Sequence, residues 1–483
     1  MLELLDTIDS IVWGPAMIAL LLGSHLFFTF KTGFIQRKLP RAIRLSLSSD
    51  PEGTGDISHF GALATALAAT IGTGSIVGVA TAILAGGPGA VLWMWVTGVL
   101  GIATKYAETY VAVKYRVRDH NGAMLGGAMF VWERAFGRNA ASGRDSGSIG
   151  RAPWWARLGA VAFAAFAAIA AVGTGSAVQA SAMTGIITAN APGIPVWAIG
   201  IVIVALVSAV IFGGVRSISK VCEKLVPVMA VAYAGGCLVV LALNWALVGE
   251  ALGLILECAF TPKAAFGGAV GSGIMMALQF GCARGLFSNE SGLGSAPIVA
   301  SAASTRNPAQ QALVAMTGTF WSTVVICALT GIVLVSTMLA NPDIASDILA
   351  NPTVYSGAML ASEAFAKIPY IGTPILVLGM VAFSYTTILG WSYYGNRCIT
   401  YLFGRYAIRP YQVVYVAVAF LGAIGVGDVV WTISDIGNAL MAIPNIVVVL
   451  LLSGVIARET RHYVWEGNLD EADDAPIPQL EGR

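Results

Sequence analysis

Charge is scarce in this sequence. Only 11% of its 483 residues are Asp, Glu, Lys or Arg, against roughly a quarter in a soluble domain, which excludes a water-soluble enzyme of this size. The formal net charge of +1 offers no field for nucleic acid, and no obligate protein partner is evident. Histidine is rarer still: His25, His59, His120 and His462 stand apart, so no metal centre built on them is expected. The six cysteines, Cys222, Cys237, Cys258, Cys282, Cys327 and Cys398, form no CxxC pair and lie in apolar runs, as small buried hydrophobes do. HExxH, GxSxG and the Walker lysine motif are all missing. Catalysis therefore lacks its residues, and any transport draws on an ion gradient instead of a nucleotide.

Apolar residues, at 57%, are what the chain has in quantity. Runs of about 20 of them, enough to cross roughly 30 Å of hydrocarbon, predict an all-α polytopic membrane protein. Eleven spans are expected, near 11–30, 60–84, 89–114, 155–190, 195–213, 221–247, 264–303, 309–339, 370–400, 410–426 and 429–457. The first follows Glu3, Asp6 and Asp9 in place of basic residues, so it reads as a span and not a signal peptide. With the N-terminus outside and the C-terminus cytoplasmic, 23 of the 27 basic residues fall on the cytoplasmic side, and only Lys263 and Lys367 fall outside. This asymmetry sets the orientation in a cell or inner membrane. Residues 36–48 interleave basic with apolar positions, the pattern of a short interfacial helix.

Beyond residues 1–59, which carry the first span and this interfacial helix, the spans divide into five over 60–247 and five over 264–457, followed by a tail over 458–483. Five is odd, so the second set begins on the opposite side of the bilayer, as a 5+5 inverted repeat requires. The first span of each set is interrupted. One carries Ile71-Gly72-Thr73-Gly74-Ser75, and the other carries Gly281-Cys282-Ala283-Arg284-Gly285 followed by Ser288-Asn289-Glu290-Ser291-Gly292-Leu293-Gly294. A single mid-span glycine such as Gly78, Gly86 or Gly101 serves close helix packing. Clustered glycines at matching positions predict two discontinuous helices, which are tolerated at membrane depth only where they line a cavity. A channel would need a repeated filter motif, and none is present.

The run from Gly86-Gly87-Pro88-Gly89 through Trp93-Met94-Trp95 to Gly101 resembles the signature of the sodium:alanine/glycine symporter family. So do Lys105-Tyr106-Ala107-Glu108, Arg284 to Glu290 with Gly292 to Pro297, and Thr387-Ile388-Leu389-Gly390-Trp391-Ser392-Tyr393-Tyr394-Gly395. The resemblance spans residues 60 to about 400 and implies a leucine-transporter-like fold with one extra N-terminal helix. It further implies cation-coupled uptake of alanine or glycine, with serine or D-alanine and coupling to H+ as alternatives. The chain departs from the family pattern at Ser75, where Asn is usual, at Leu92, at residues 126–131, where Ala128 replaces a proline, and at Ala300.

Matched to the family residue by residue, the small neutral amino acid meets Thr73, Gly74 and Ser75 of the first break, Gln179, Phe280, Thr387 and Trp391. Helix N-termini favour its carboxylate. The alternative for Gln179 is a structural hydrogen bond between helices. Na+, the implied coupling ion, prefers uncharged hard oxygens. The fold implies the carbonyls of Ala68, Ile71 and Phe383 with the hydroxyls of Thr386 and Thr387. The same hydroxyls can instead bond their own i−4 carbonyls. Lys105 and Glu108, one turn apart, and Arg284 and Glu290, flanking the second break, are read as structural or gating ion pairs. Asp435, in the last span, is either a further gate or a satisfied polar group.

Overall fold

The computed structural model describes residues 2–48, 53–137, 152–261, 273–341, 343, 357–425, 428–473 and 475–480. Lys263, Arg138, Arg144, Arg151, Asp347, Arg483 and the start of the span expected over 264–303 lie outside these residues.

Among them, the helices in chain order are α1 (Leu2–Val12), α2 (Pro15–Lys31), α3 (Leu39–Ser46), α4 (His59–Thr70), α5 (Val77–Gly86), α6 (Ala90–Lys114), α7 (Ala128–Ala135), α8 (Trp154–Val172), α9 (Val178–Asn190), α10 (Val196–Ile211), α11 (Gly214–Leu243) and α12 (Trp245–Phe260). There follow α13 (Ile274–Asn289), α14 (Ala296–Ala300), α15 (Pro308–Thr319), α16 (Ala328–Ala340), α17 (Gly357–Ala366), α18 (Gly372–Phe403), α19 (Ile408–Ala423), α20 (Asp428–Leu451) and α21 (Ser453–Thr460). Wide turns over Gly173–Ala177 and Phe320–Cys327 join α8 to α9 and α15 to α16 without ending the helix. Seven helical stretches among the described residues are long and apolar enough to cross a membrane, and the chain is a multi-pass membrane protein. Segment α12 is a helix where a loop is expected between spans.

Local chemistry explains the starts. The Ser58 hydroxyl accepts from Gly61 N at 2.9 Å and caps α4, while Asn307 accepts from Gln310 N at 3.0 Å and Pro308 fills the first position of α15. Helix α3 buries Ala42 and Ser46 against α15, so the expected interfacial helix leans on protein as well.

The end of the molecule to which most basic residues map is sealed. Asp56 N donates to Ala302 O and Ser304 N donates to Ile57 O, each at 2.8 Å. The Arg116 guanidinium donates to the carbonyls of Thr54, Ser301 and Ala303 at 2.8 to 3.2 Å, pinning the chain before α4 to the chain after α14. Residues after α21 cross this seal. Asn307 Nδ2 donates to Leu469 O at 2.7 Å, and Leu480 N donates to Arg118 O at 2.8 Å, beside the small antiparallel pair β1 (Val117–Arg118) and β2 (Met124–Leu125).

Both expected interruptions exist, and one has moved. Helix α4 stops at Thr70, Gly72 is extended (φ −124°, ψ −150°), and a single tight turn over Thr73–Ser75 leads into α5. Helix α13 instead runs unbroken through Gly281 and Gly285 and opens only at Glu290, which adopts a left-handed conformation (φ 52°). The two glycines serve close packing: a Cβ at Gly281 would lie 2.4 Å from the Ala90 carbonyl, and one at Gly285 2.2 Å from Thr97 Oγ1. The actual turn uses Gly292 (φ 90°) and Gly294 (φ 78°), where glycine avoids the left-handed penalty.

Candidate substrate and ion site

The first break sits against α18. A Cβ at Gly72 would stand 2.5 Å from Thr387 Oγ1 and 3.4 Å from Gln179 Oε1, so the extended backbone approaches both only because residue 72 lacks a side chain. In the turn that follows, the first intrahelical bond is Ser75 N to Gly72 O at 3.2 Å. The N–H groups of Thr73 and Gly74 precede it, at the electropositive end of a helix.

An occluded cavity, with room for about one water molecule, is bounded by Gly72, Gly74, Thr174, Gln179, Phe287, Glu290, Leu293, Thr387, Trp391 and Asn438 together with Ala69 and Thr70. A larger cleft of about 580 Å³ lies beyond it, between α5, α9 and α17, and reaches Thr73, Gly74, Arg284 and Phe287. Gly74 and Phe287 border both spaces. The Phe287 ring stands 3.0 Å from where a Gly74 Cβ would be, so it forms the partition.

Four of the five expected ion ligands converge. Thr387 Oγ1 lies 2.9 Å from both Ala68 O and Phe383 O, and Thr386 Oγ1 lies 3.0 Å from Phe383 O. The hydroxyls thus bond their own helix, as such residues do, and Thr387 also reaches across to α4. Ile71, buried at the start of the break, carries no contact to these oxygens among the described residues.

Of the expected substrate residues, Thr73, Gly74, Gln179, Thr387 and Trp391 border one or both spaces. Ser75 turns away, its hydroxyl 3.0 Å from Ser288 Oγ, where it ties α13 to the first break. Phe280 does not reach the cavity. It packs at the far end of α5, 3.0 Å from where a Gly86 Cβ would be. Phe287, about two turns later on the same helical face, occupies the wall expected of Phe280.

The second break is braced. Lys105 Nζ is 3.0 Å from Glu108 Oε1 and donates to the Glu290 carbonyl at 2.8 Å. The other Glu108 oxygen accepts from Gly292 N, Gly294 N and Asn445 Nδ2 at 2.9 to 3.2 Å. Lys105 and Glu108 are only 2% and 1% exposed, so breaking the pair by removing one partner costs about 3–5 kcal/mol. Arg284 and Glu290 do not pair. Arg284 borders the larger cleft, while Glu290 Oε2 accepts from the Ser295 hydroxyl at 2.6 Å.

Thr174, Phe287, Leu293 and Asn438 at the cavity are not foreseen in the sequence. One signal for Thr174 was present: residues 173–176 repeat the Gly-Thr-Gly-Ser of residues 72–75.

A model of the sodium:alanine symporter family matches residues 1–475. The chain belongs to this family. It is 46% identical to the sodium/alanine symporter AgcS of Methanococcus maripaludis, over 95% of this chain and 97% of that protein. It is also 30% identical to a probable sodium/glutamine symporter, GlnT, of Bacillus subtilis, over 94% and 89% of the two chains. The crystal structure of MhsT in complex with L-phenylalanine has a similar fold, with a TM-score of 0.58 at 14% identity, covering 85% of this chain and 94% of that one.

Proposed function

We propose that the protein is a secondary active symporter that moves alanine or glycine into the cell with a sodium ion by alternating access. The observation that carries this reading is the first break, where the Ala68 carbonyl beside Thr387 stands on one side of the extended Gly72 and the helix-end N–H groups of Thr73 and Gly74 on the other. A carboxylate suits the first set and a cation the second. The oxygens gathered at Ala68, Phe383, Thr386 and Thr387 are uncharged, which favours sodium over a titrating site for protons. The Ile71 carbonyl, the fifth ligand the family resemblance implies, joins the set when the ion binds.

Family membership and the names of the relatives support an amino-acid substrate. Trp391 and Phe287 close the space beside the first break, and bulk at these walls favours a small side chain; the space, which holds about one water molecule, widens to admit the substrate. The distribution of basic residues supports eleven spans with the N-terminus outside. Residues 60–247 and 264–457 are then inverted halves, 1–59 an added span and surface helix, and 458–483 a cytoplasmic tail. In this orientation the large cleft faces outward, Phe287 separates it from the site, and the Arg116 seal closes the inner side. Transport alternates between this arrangement and one in which the seal parts. Lys105 and Glu108 hold the second break as a platform, Arg284 lines the outer path, and Asp435 is a candidate gate.

The test is Thr386→Val combined with Thr387→Val. Wild-type protein takes up alanine only with sodium present, and the double variant loses this dependence. Full sodium dependence in a folded double variant contradicts the ion assignment.

A further inference from the structure

Between Asp9 and Asp50 the chain carries no acidic residue, while Lys31, Arg37, Lys38, Arg41 and Arg44 follow one another where the first span ends. Lys38 Nζ stands 4.5 Å from the centre of the Trp465 ring. No carboxylate pairs with any of the five among the described residues. Arg37 lies in the tight turn over Ile35–Lys38, and Arg41 and Arg44 follow it at spacings of four and three, so the three share one side of the helix. All three are exposed, whereas the side that carries Ala42 and Ser46 is buried. Like charges at this spacing repel, and no acidic side chain offsets them.

An apolar surface adjoins the arginines. The end of α2 exposes Phe27 and Phe30, and Phe34 is exposed just beyond it. The rings of Phe30 and Phe34 meet edge to face with centroids 5.2 Å apart, and the Arg37 guanidinium stands 5.6 Å from the Phe34 ring. Phe34 holds a left-handed backbone (φ 61°), a conformation costly for a bulky side chain. An exposed phenylalanine kept there against strain gains from hydrocarbon and not from water. Gln36 Nε2 donates to Thr29 Oγ1 at 2.9 Å and to Val99 O at 3.3 Å, which fixes the turn to α2 and α6. A positive row beside an apolar row at the end of a span fits a ligand with an anionic head and a hydrocarbon tail. An acidic peptide matches the arginines alone.

We propose that this face docks an anionic phospholipid of the cytoplasmic leaflet, its phosphate at Arg37, Arg41 and Arg44 and an acyl chain along Phe34, Phe30 and Phe27. The planar guanidinium donates two parallel hydrogen bonds to a phosphate, and basic side chains at the cytoplasmic surface attract anionic lipid. The choice of leaflet rests on the orientation proposed above, whereas the match of headgroup to arginines does not.

The experiment uses the purified full-length protein in detergent with equal amounts of dioleoylphosphatidylglycerol and dioleoylphosphatidylcholine, and reads the retained lipid by mass spectrometry of the intact complex. Wild-type protein retains the phosphatidylglycerol in preference. Arg37→Gln, Arg41→Gln and Arg44→Gln each lower that preference about fivefold, and the triple variant lowers it on the order of 100-fold, as expected for basic residues at an anionic surface. Lysine at all three positions restores part of it. Arg405→Gln combined with Arg409→Gln, which removes two exposed charges elsewhere, leaves it unchanged. Phe34→Asn suits the left-handed backbone, so it does not lower the melting temperature, yet it weakens retention of dioleoyl lipid more than of a dihexanoyl one.

The inference is overturned if the triple glutamine variant, monodisperse and with the wild-type melting temperature, keeps the wild-type preference. It is also overturned if the Arg405 and Arg409 variant loses as much, which would assign the preference to overall charge, or if inorganic phosphate displaces the lipid completely, which would assign the arginines to a soluble anion. The measurement needs neither sodium nor substrate, so its failure leaves the symporter reading standing, and absence of alanine uptake leaves the lipid site standing.

Discussion

The tetrapeptide Gly-Thr-Gly-Ser occurs twice at the cavity, and its two copies fold differently. Residues 72–75 interrupt a helix with an extended glycine, whereas residues 173–176 stay helical within one wide turn. Local propensity does not separate them: alanine-rich runs over 62–69 and 162–171 precede the two copies, and β-branched Ile71 and Val172 stand directly before them, although alanine favours and β-branching disfavours helix. Both copies admit α18: Gly72 lies under Thr387, and Gly175 lies under Trp391, about one turn later. The first copy offers its backbone to the cavity, and the second offers Thr174, which orients Gln179 and Asn438.

If this comparison holds, equivalent substitutions in the two copies fail in different ways. Gly175→Ala has the largest effect, because its Cβ would meet Trp391 Cβ at 2.2 Å and Cγ at 2.7 Å, atoms that cannot swing aside. A loss of about 1–3 kcal/mol or more is expected, read as a lower melting temperature and less monodisperse protein. Gly72→Ala would meet the Thr387 hydroxyl at 2.5 Å, the end of a side chain, with Gln179 Oε1 next at 3.4 Å. Its stability falls less, while the half-saturating sodium concentration for uptake rises on the order of tenfold, or about 1.4 kcal/mol. Equal melting temperatures for the two variants would erase the distinction.

Trp391→Ala removes the wall above the second copy, and leucine and serine then compete with alanine uptake. Unchanged competition would show that the indole does not set the size of the site. The smallest effects come from the serines. Ser176→Ala removes a donor to Tyr415 O at 2.8 Å and costs about 0.5–1.5 kcal/mol in thermal or chemical unfolding. Ser75→Ala costs less, because its partner Ser288 keeps Cys327 Sγ at 3.0 Å.

The sequence displayed a helical multi-pass membrane protein and the first break plainly, since both follow from composition and glycine spacing, while seven stretches among the described residues are long and apolar enough to span, against the eleven expected. It misled at the second break. Gly281 and Gly285 look like helix breakers, yet their absent side chains make room for α6, a tertiary contact that no local pattern reports. Phe280 and Phe287 share a helical face, so periodicity could not tell which turn meets the cavity. Asn438 is a lone amide in an apolar span, and its role depends on Thr174, 264 residues away. The pairing of Lys105 with Glu108 was visible from their spacing, whereas the expected partnership of Arg284 with Glu290 was not realised, because Glu290 turns toward Ser295 at the reversal of the chain.

The most direct test of the account is uptake of labelled alanine into proteoliposomes with and without an inward sodium gradient. The account predicts accumulation above the external concentration with the gradient, collapse when an ionophore dissipates it, and only background uptake without sodium. Equal uptake in the absence of sodium, or equilibration without accumulation, would contradict it.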